Sequence, residues 1–479
     1  MVLKLFNTLG KKKEEFKPNQ DNEVSIYCCG PTVYDFAHIG NFRTFLFEDI
    51  IIRYLKYKGY KIKFIMNITD VDDKTIAASI KNGKSLKEYT NKFTEEFFKD
   101  LDSLKITKAT LYPKATDYIK EIEEYIKKLE KGGYAYQSDA SYYFSISKFK
   151  EYGKLSGINV DPSKTKSRLT NDEYSKEEVQ DFALWKAWEE NDGDVYWNNI
   201  LGKGRPGWHI ECSVMSTKIL GKQIDIHAGG TDLIFPHHEN EIAQSEAISS
   251  KQFVKYWIHS EHLIVEGKKM SKSEGNYFTL RNLLEKGYDQ RAIRFLLISS
   301  HYRSQLNFTL DGINQAMENV NKLQEIYSKI QGTSANTQEK DTKLSDKTKE
   351  ALESFVEAMD DDINIPIALA SIFNLVKFLN KYLEEFSLSE ENKLEILSYF
   401  HQINKILEVI SEDQLDEKLS NDIISLVNER KNTRINKDWK RSDEIRKELS
   451  KKGYTIEDIK NGIILKEKDR ILKILKWEE

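Results

Sequence analysis

The stretch between Val24 and Ile68 most limits what this chain can fold into. Val24 to Cys28 is a short apolar run that ends at Gly30–Pro31. From His38 to Tyr57 the residues Phe42, Phe45, Leu46, Ile50 and Tyr54 recur at helical spacing, and Gly59 stops the run. Lys61 to Ile68 then alternates, with Ile62, Phe64, Met66 and Ile68 on one side. Strand, helix and strand over this distance make a βαβ unit, because parallel neighbours need a crossover long enough to hold a helix. The chain is therefore expected to be α/β, with a Rossmann-type parallel sheet that gathers ligands at the carboxyl ends of its strands.

At 479 residues the chain suits about three domains and needs no disulfide staple. Its cysteines are only Cys28, Cys29 and Cys212, which excludes a disulfide-built scaffold. No apolar run reaches the roughly 18 residues of a membrane helix. Met1 to Phe16 lacks the apolar core of a signal peptide and carries Lys11, Lys12 and Lys13. A cytoplasmic protein with no membrane partner is the expectation. The net charge of −4 rules out a uniformly basic coat for nucleic acid. From Arg430 to Glu479, however, 16 basic and 10 acidic residues give +6, leaving −10 for the rest.

The character of the chain changes along its length. Residues 1–113 read as the first half of the parallel-sheet domain. Residues 114–199 read as an insertion: Ile119, Ile122, Tyr125, Ile126 and Leu129 mark a helix face closed by Gly132–Gly133, and Tyr142 to Ile146 reads as a strand. Sheet-like signals return over 200–258, the second half. Residues 259–310 form a further region, 311–415 a helical bundle, and 416–479 a small α/β module. Gly332 to Asp346 reads as a flexible loop.

Four segments carry chemistry. His38–Ile39–Gly40–Asn41 follows a strand and opens a helix, whose N-terminus attracts phosphate; a capped helix start with a core histidine is the plainer alternative. Lys269–Met270–Ser271–Lys272–Ser273 places two lysines around a serine, with Gly267 and Gly275 nearby. That suits a mobile clamp on polyphosphate, or an ordinary basic turn. His237 and Glu241 share a helix face, and with Cys212 and one of Cys28 or Cys29 they make a plausible zinc site. Strand alternation turns one of the adjacent cysteines away. Gly229–Gly230–Thr231–Asp232, downstream of Trp208, suits close approach to adenine or ribose, or is only a turn. Trp208 may be core.

Taken together these residues resemble the cysteinyl-tRNA synthetases, a family of class I aminoacyl-tRNA synthetases. Cys29–Gly30–Pro31–Thr32–Val33–Tyr34–Asp35, His38–Ile39–Gly40, Asn67–Ile68–Thr69–Asp70, Gly207 to Cys212, Phe235 to Glu241 and Lys269 to Ser273 occur in that family's order. Met359 to Asp362 resembles its helical region and Lys437–Asp438–Trp439 its C-terminal module, so the match spans nearly the whole chain. The resemblance implies a ligase that activates L-cysteine with ATP and magnesium and transfers it to cysteine tRNA. It implies one zinc ion per chain on Cys29, Cys212, His237 and Glu241, choosing Cys29 over Cys28. It implies His38, Asn41, Lys269 and Lys272 as catalytic, with Gly40, Gly229, Gly230, Asp232 and Lys272 at ATP. Gly30, Thr69 and Trp208 are implied at the cysteine, and Arg434, Trp439, Asp443 and Asp458 at the anticodon. The 259–310 region would then contact the tRNA stem and 416–479 its anticodon. Trp439 would stack a base, where the plainer alternative is a core residue. Lys437, Lys440, Arg441, Arg446 and Lys447 would hold phosphates. A monomer is the expected state. The first signature usually ends in histidine; Asn41 keeps a donor there and loses the charge. The alternatives are a cysteine ligase of mycothiol synthesis, which lacks a long anticodon module, and a non-catalytic tRNA-binding paralogue.

Overall fold

The structure is a computed structural model and describes residues 2–159, 168–169, 175, 180–271, 275–333, 335, 339–411, 420–459, 462–467 and 470–476. It divides into two compact units. The first holds residues 1–290, 297–309 and 358–365.

The first unit opens with a hairpin, β1 (Lys4–Asn7) and β2 (Lys12–Glu15). The expected βαβ unit follows as β3 (Glu23–Cys28), α1 (Ile39–Tyr57) and β4 (Lys61–Met66), with β3 and β4 parallel. Gly59 ends α1 in the left-handed region at φ +94. Next come α2 (Asp73–Lys81), capped by Asp72 and Thr75, and α3 (Leu86–Ser103). The chain then leaves the sheet through α4 (Ile119–Lys131), which buries Ile122, Tyr125, Ile126 and Leu129 as its periodicity requires.

The insertion is an antiparallel sheet with one short parallel strand. It holds β5 (Ala135–Ser138), β6 (Ser141–Phe144), β7 (Arg168–Leu169), β8 (Asp181–Ala187), β9 (Trp197–Asn199) and β10 (Gly202–Pro206). The expected boundary at residue 199 is too early. β10 pairs with both β8 and β9, so the inserted sheet runs to Pro206. Gly-Lys-Gly-Arg-Pro has no alternating apolar pattern, and only pairing makes it a strand. Gly204 and Gly207 permit this packing: a Cβ on them would lie 2.1 Å from the Lys186 carbonyl oxygen and 2.3 Å from that of Ala183.

The parallel sheet resumes with α5 (Trp208–Leu220), β11 (Ile224–Gly230), α6 (His237–Ser249) and β12 (Val254–Ser260). Its order is β12-β11-β3-β4. The chain crosses from β3 to β4 on one side and returns to β11 on the other. Between β3 and β11 the order reverses, which opens a crevice at their carboxyl ends. The small strands β13 (Leu263–Val265), β14 (Lys268–Lys269) and β15 (Leu306–Phe308) form a sheet beyond β12, and helices α7 (Leu280–Glu285) and α8 (Gln290–Ile298) fall between β14 and β15 in the chain. Among the described residues, no helix is long and apolar enough to cross a membrane.

The second unit contains α9 (Leu310–Gly332), most of α10 (Thr342–Asp360) and of α11 (Ile365–Glu385), and α12 (Glu390–Leu407). It ends in α13 (Asn421–Ile435), α14 (Trp439–Lys451) and an antiparallel meander of β16 (Tyr454–Ile459), β17 (Gly462–Glu467) and β18 (Arg470–Lys476). That module has its own core of Ile423, Val427, Ile445, Leu449, Ile456, Ile463 and Leu465. Two expectations shift. Helix α10 already begins at Thr342, inside the segment read as a loop, because Leu344 is fully buried. Residues 358–365 belong to the first unit rather than to the 311–415 bundle. There the buried Asp362 accepts from the Phe6 amide (2.8 Å), the Tyr302 hydroxyl (2.6 Å) and Arg303 Nε (2.8 Å). Those donors are the physical reason for the placement.

Candidate active site and metal centre

A cleft of about 690 Å³ lies over the carboxyl ends of the parallel strands. Its floor includes the start of α1. His38 caps that helix: its Nδ1 accepts from the Asn41 amide (3.2 Å), and its own amide donates to Asn41 Oδ1 (3.1 Å). Because Nδ1 accepts, the neutral ring carries its proton on Nε2, a donor suited to a phosphate oxygen. His38, Gly40, Asn41, Lys269 and Met270 all line the cleft. A Cβ on Gly40 would sit 3.0 Å from the His38 ring and 3.3 Å from Met270, so only glycine fits there without displacement. Asn276 fastens the lysine loop, donating to the Lys269 carbonyl (3.1 Å) and accepting from the Ser271 amide (2.8 Å). Lys272 lies outside the described residues.

Gly230 and Asp232 line the cleft. Gly229 does not. A Cβ there would meet Leu233 at 2.9 Å and His238 at 3.0 Å, which makes it a packing glycine. Glu261 also lines the cleft and was not anticipated. It accepts from the Thr231 hydroxyl (3.3 Å) and the His262 amide (2.9 Å). A lone Glu after a strand gives no sequence signal for this.

The metal candidates converge. Cys29 follows β3, Cys212 lies on α5, and His237 and Glu241 lie one turn apart on α6; their ligating atoms all fall within 4.8 Å of one another. Cys28 is turned away and lies against Glu48 of α1. All four candidates are buried, and only Cys29 lines the cleft. Burial, then contact with Cys212, pushes the Cys29 thiol up, and burial raises Glu241 to about 8 and lowers His237 to about 3. Neutral imidazole is the ligating form. A divalent cation would reverse the balance for thiol and carboxyl, because it stabilises their charged forms. Glu241 Oε1 is buried without a hydrogen bond, although His237 Nε2 is 3.2 Å away. Two thiolates, an imidazole and a carboxylate with an orphaned oxygen fit a zinc ion.

Sequence reasoning missed a second donor pair. His227 and His238 make another four-residue set with the same Cys29 and Glu241. His227 Nε2 is 3.1 Å from Glu241 Oε2, and His238 Nε2 is 3.4 Å from Cys29 Sγ. His238 was visible only as the neighbour of His237, and His227 had no pattern to mark it. The neighbouring Glu239 pins the insertion to α6 by accepting from the amides of Gly153 (2.9 Å), Leu155 (3.1 Å) and Ser156 (2.7 Å).

The residues assigned to cysteine divide. Trp208 lines the cleft and packs on the His237 ring at 4.3 Å. Gly30 lines it too, and a Cβ there would be 1.7 Å from the Asn67 carbonyl oxygen. Thr69 is not on the wall. It is buried behind, accepting from Asn67 Nδ2 (3.2 Å), while Asn67 Oδ1 accepts from the Gly30 amide (2.9 Å).

In the C-terminal module Trp439 is 54% exposed, so it is not a core residue. The Arg434 guanidinium lies 4.9 Å from its ring centre. Arg434 also pairs with Asp458 (3.4 Å), as do Arg446 (3.3 Å) and the buried Arg430, which grips both carboxylate oxygens at 2.7 and 2.9 Å. Asp443 is exposed one turn beyond Trp439. Lys437, Lys440 and Lys447 are exposed, whereas Arg441 is engaged by Glu429 (2.8 Å).

Comparison with known proteins agrees with this arrangement. Residues 15–318 match the tRNA synthetases class I (C) catalytic domain, and residues 354–412 match the DALR domain. A cysteine–tRNA ligase of Chlamydia muridarum is 46% identical over 476 residues, covering 97% of this chain and 100% of the relative. The chain belongs to the cysteine–tRNA ligase family. A second member, from Brachyspira hyodysenteriae, is 46% identical over 97% of this chain and 99% of its own length. The Mycobacterium tuberculosis methionyl-tRNA synthetase, solved with methionyl-adenylate, shares the fold with a TM-score of 0.58 at 14% identity, over 81% of this chain and 90% of that one.

Proposed function

We propose that this chain joins L-cysteine to cysteine tRNA in two steps within the cleft. In the first, the cysteine carboxylate attacks the α-phosphate of ATP–Mg²⁺, forming cysteinyl adenylate and releasing pyrophosphate. In the second, a terminal ribose hydroxyl of the tRNA attacks the adenylate carbonyl, releasing AMP. The protein contributes alignment and preorganised charge rather than covalent chemistry. His38, fixed by its cap, donates from Nε2 to a phosphate oxygen. Asn41 holds His38 in place. Lys269, with Lys272 three residues on in the sequence, offsets charge growing on the leaving pyrophosphate. Gly40 and Gly230 let the nucleotide approach the backbone, and Asp232 offers a carboxylate to a substrate ammonium or hydroxyl. Trp208 walls the cysteine side chain.

Cys29, Cys212, His237 and Glu241 would hold zinc. When bound, zinc supplies a soft Lewis acid that favours a substrate thiolate over a hydroxyl. Such a contact supplies what shape does not, since rejecting a near-isostere by a hydrophobic pocket is worth only about 1–3 kcal/mol. The C-terminal module carries the tRNA side: exposed Trp439 beside Arg434 suits stacking of an anticodon base. The observation that carries this reading is that Cys29, one thiol of the converged donor set, and the capped His38 line the same cleft.

The test is cysteine-dependent exchange of pyrophosphate into ATP, with serine as control, followed by charging of cysteine tRNA. Exchange with cysteine but not serine, and charging, is the expected result. No exchange from folded, zinc-loaded protein overturns the catalytic reading. Exchange without charging would point instead to a cysteine ligase acting on a small amine.

A further inference from the structure

The cleft has two ends, and the activation step uses one of them. On the β11–β12 side the wall is Gly230, Ser260 and Ile264, where the nucleotide of ATP is placed above. On the β4 side the wall is Tyr34 and Phe36, from the loop between β3 and α1, and Lys74 on α2. Cys29 and Trp208 also line the cleft, just after the carboxyl end of β3 and at the start of α5. With the nucleotide of ATP on the β11–β12 side, the β4 side is what is left for a second large substrate to approach without displacing the adenylate.

That side is built to take a base and a phosphate. Tyr34 is 37% exposed, although the cleft around it is mostly half-buried. Its backbone is fixed: its amide donates to the Thr32 carbonyl (3.0 Å), and the Tyr89 hydroxyl donates to its carbonyl (3.0 Å). The ring therefore stands at the rim without collapsing into the core. Lys74 Nζ lies 5.9 Å from the ring centre. Its helix start is also fixed, because the adjacent Asp73 is gripped by Lys186 (3.1 Å) and Arg205. The ammonium lies over one face of this exposed ring; with a base on the other face and a phosphate on the cation, such a pair can hold one nucleotide of a single strand.

We propose that Tyr34 and Lys74 form the seat for the 3′-terminal nucleotide of tRNA, with the base stacked on Tyr34 and a backbone phosphate on Lys74. The seat rests on the tRNA ligase reading above. It orients the terminal ribose toward the adenylate and makes both residues part of the transfer step.

The test uses the full chain with Tyr34→Ala, Tyr34→Phe and Lys74→Ala. Pyrophosphate exchange reports activation, and single-turnover transfer from preformed adenylate reports the second step. Tyr34→Ala is expected to lower transfer relative to exchange by about 5- to 100-fold, the range of one lost stacking contact. Tyr34→Phe keeps the ring and is expected to restore the ratio. Lys74→Ala is expected to weaken tRNA and to flatten its salt dependence. A tRNA lacking its last nucleotide is expected to inhibit wild type and Tyr34→Ala equally. An unchanged transfer-to-exchange ratio in Tyr34→Ala overturns the seat. So does an equal loss of both steps, which would put Tyr34 at the activation site, or a truncated tRNA that still distinguishes the two proteins. If the wild type exchanges but charges no tRNA, the underlying reading fails instead, and the variants do not enter.

Discussion

Arg43 is the residue on which we expect α1, and with it His38, to depend most. It is 2% exposed and lies two residues beyond Asn41. Its guanidinium donates to Ser300 Oγ (2.9 Å), to the His301 carbonyl (3.0 Å) and to the Leu297 carbonyl. Burial lowers its pKa only to about 10, so it stays charged at neutral pH. The charge is balanced by carbonyl dipoles, which tie the first turn of α1 to residues 297–301. Hydrogen bonds to a charged group contribute about 1.5–3 kcal/mol each. Against them stands the desolvation of the guanidinium, several kcal/mol, which methionine would not incur. Arg43→Met is nevertheless expected to cost about 3–5 kcal/mol, because it leaves buried carbonyls without donors and α1 without its tether. The loss should appear as a shift of the first unfolding transition in urea. Function should fall as well, since a displacement of about 1 Å at a positioned group costs roughly 100-fold. Cysteine-dependent exchange is therefore expected to drop by about 10- to 100-fold in protein that remains folded, while bound zinc is retained. Arg43→Lys keeps the charge but cannot reach three acceptors, and should fall between. An Arg43→Met protein within about 1 kcal/mol of wild type, exchanging at the normal rate, would refute the reasoning.

Three further outcomes follow from the site. Cys212→Ala is expected to lose zinc and Cys28→Ala to retain it, as metal analysis of the purified chains would show; equal loss from both would undo the assignment. Gly30→Ala forces a Cβ to within 1.7 Å of the Asn67 carbonyl oxygen, so the loop after β3 must move. A cost of about 3 kcal/mol and loss of exchange are expected, and a normal melting curve would count against this. Arg430, Arg434 and Arg446 hold the Asp458 carboxyl below its usual range. A depressed folded pKa contributes stability that is present above the unfolded value, near 3.9, and lost as pH falls through the folded one. The C-terminal module should therefore lose stability in acid below about pH 4, and Asp458→Asn should be less stable at pH 7 and flatter below it. An unchanged acid profile in Asp458→Asn would show that the ion pairs contribute nothing.

Much of the sheet was legible because burial imposes a period. β3, α1 and β4 were marked by apolar spacing, and α4 by its buried stripe and closing glycines. β10 was not, since a Gly-Lys-Gly-Arg-Pro strand owes its existence to its neighbours β8 and β9. Residues 358–365 were placed with the helices because Met359 to Asp362 resembles the family's helical region, yet Asp360 and Asp362 find donors in the first unit. Within the site, Thr69 was carried over as a cysteine contact, and no local pattern showed that it is buried and bonded to Asn67. Arg43 carried no signal at all: a charged residue on an apolar helix ordinarily faces solvent.

By itself the sequence determined the chemistry on offer. It fixed which donors exist, that two thiols and a lysine pair are available, and that the basic excess lies in the last fifty residues. Periodicity added the βαβ unit, because a chain must bury its apolar face wherever it folds. Tertiary structure decided which donors meet. Only the reversal of strand order between β3 and β11 opens a crevice there, and only the pleat of β3 turns Cys28 toward Glu48 and Cys29 toward Cys212, His237 and Glu241. The same packing brought His227 and His238 into that group and left Trp439 in solvent. Side-chain identity is local, whereas proximity depends on how distant segments pack.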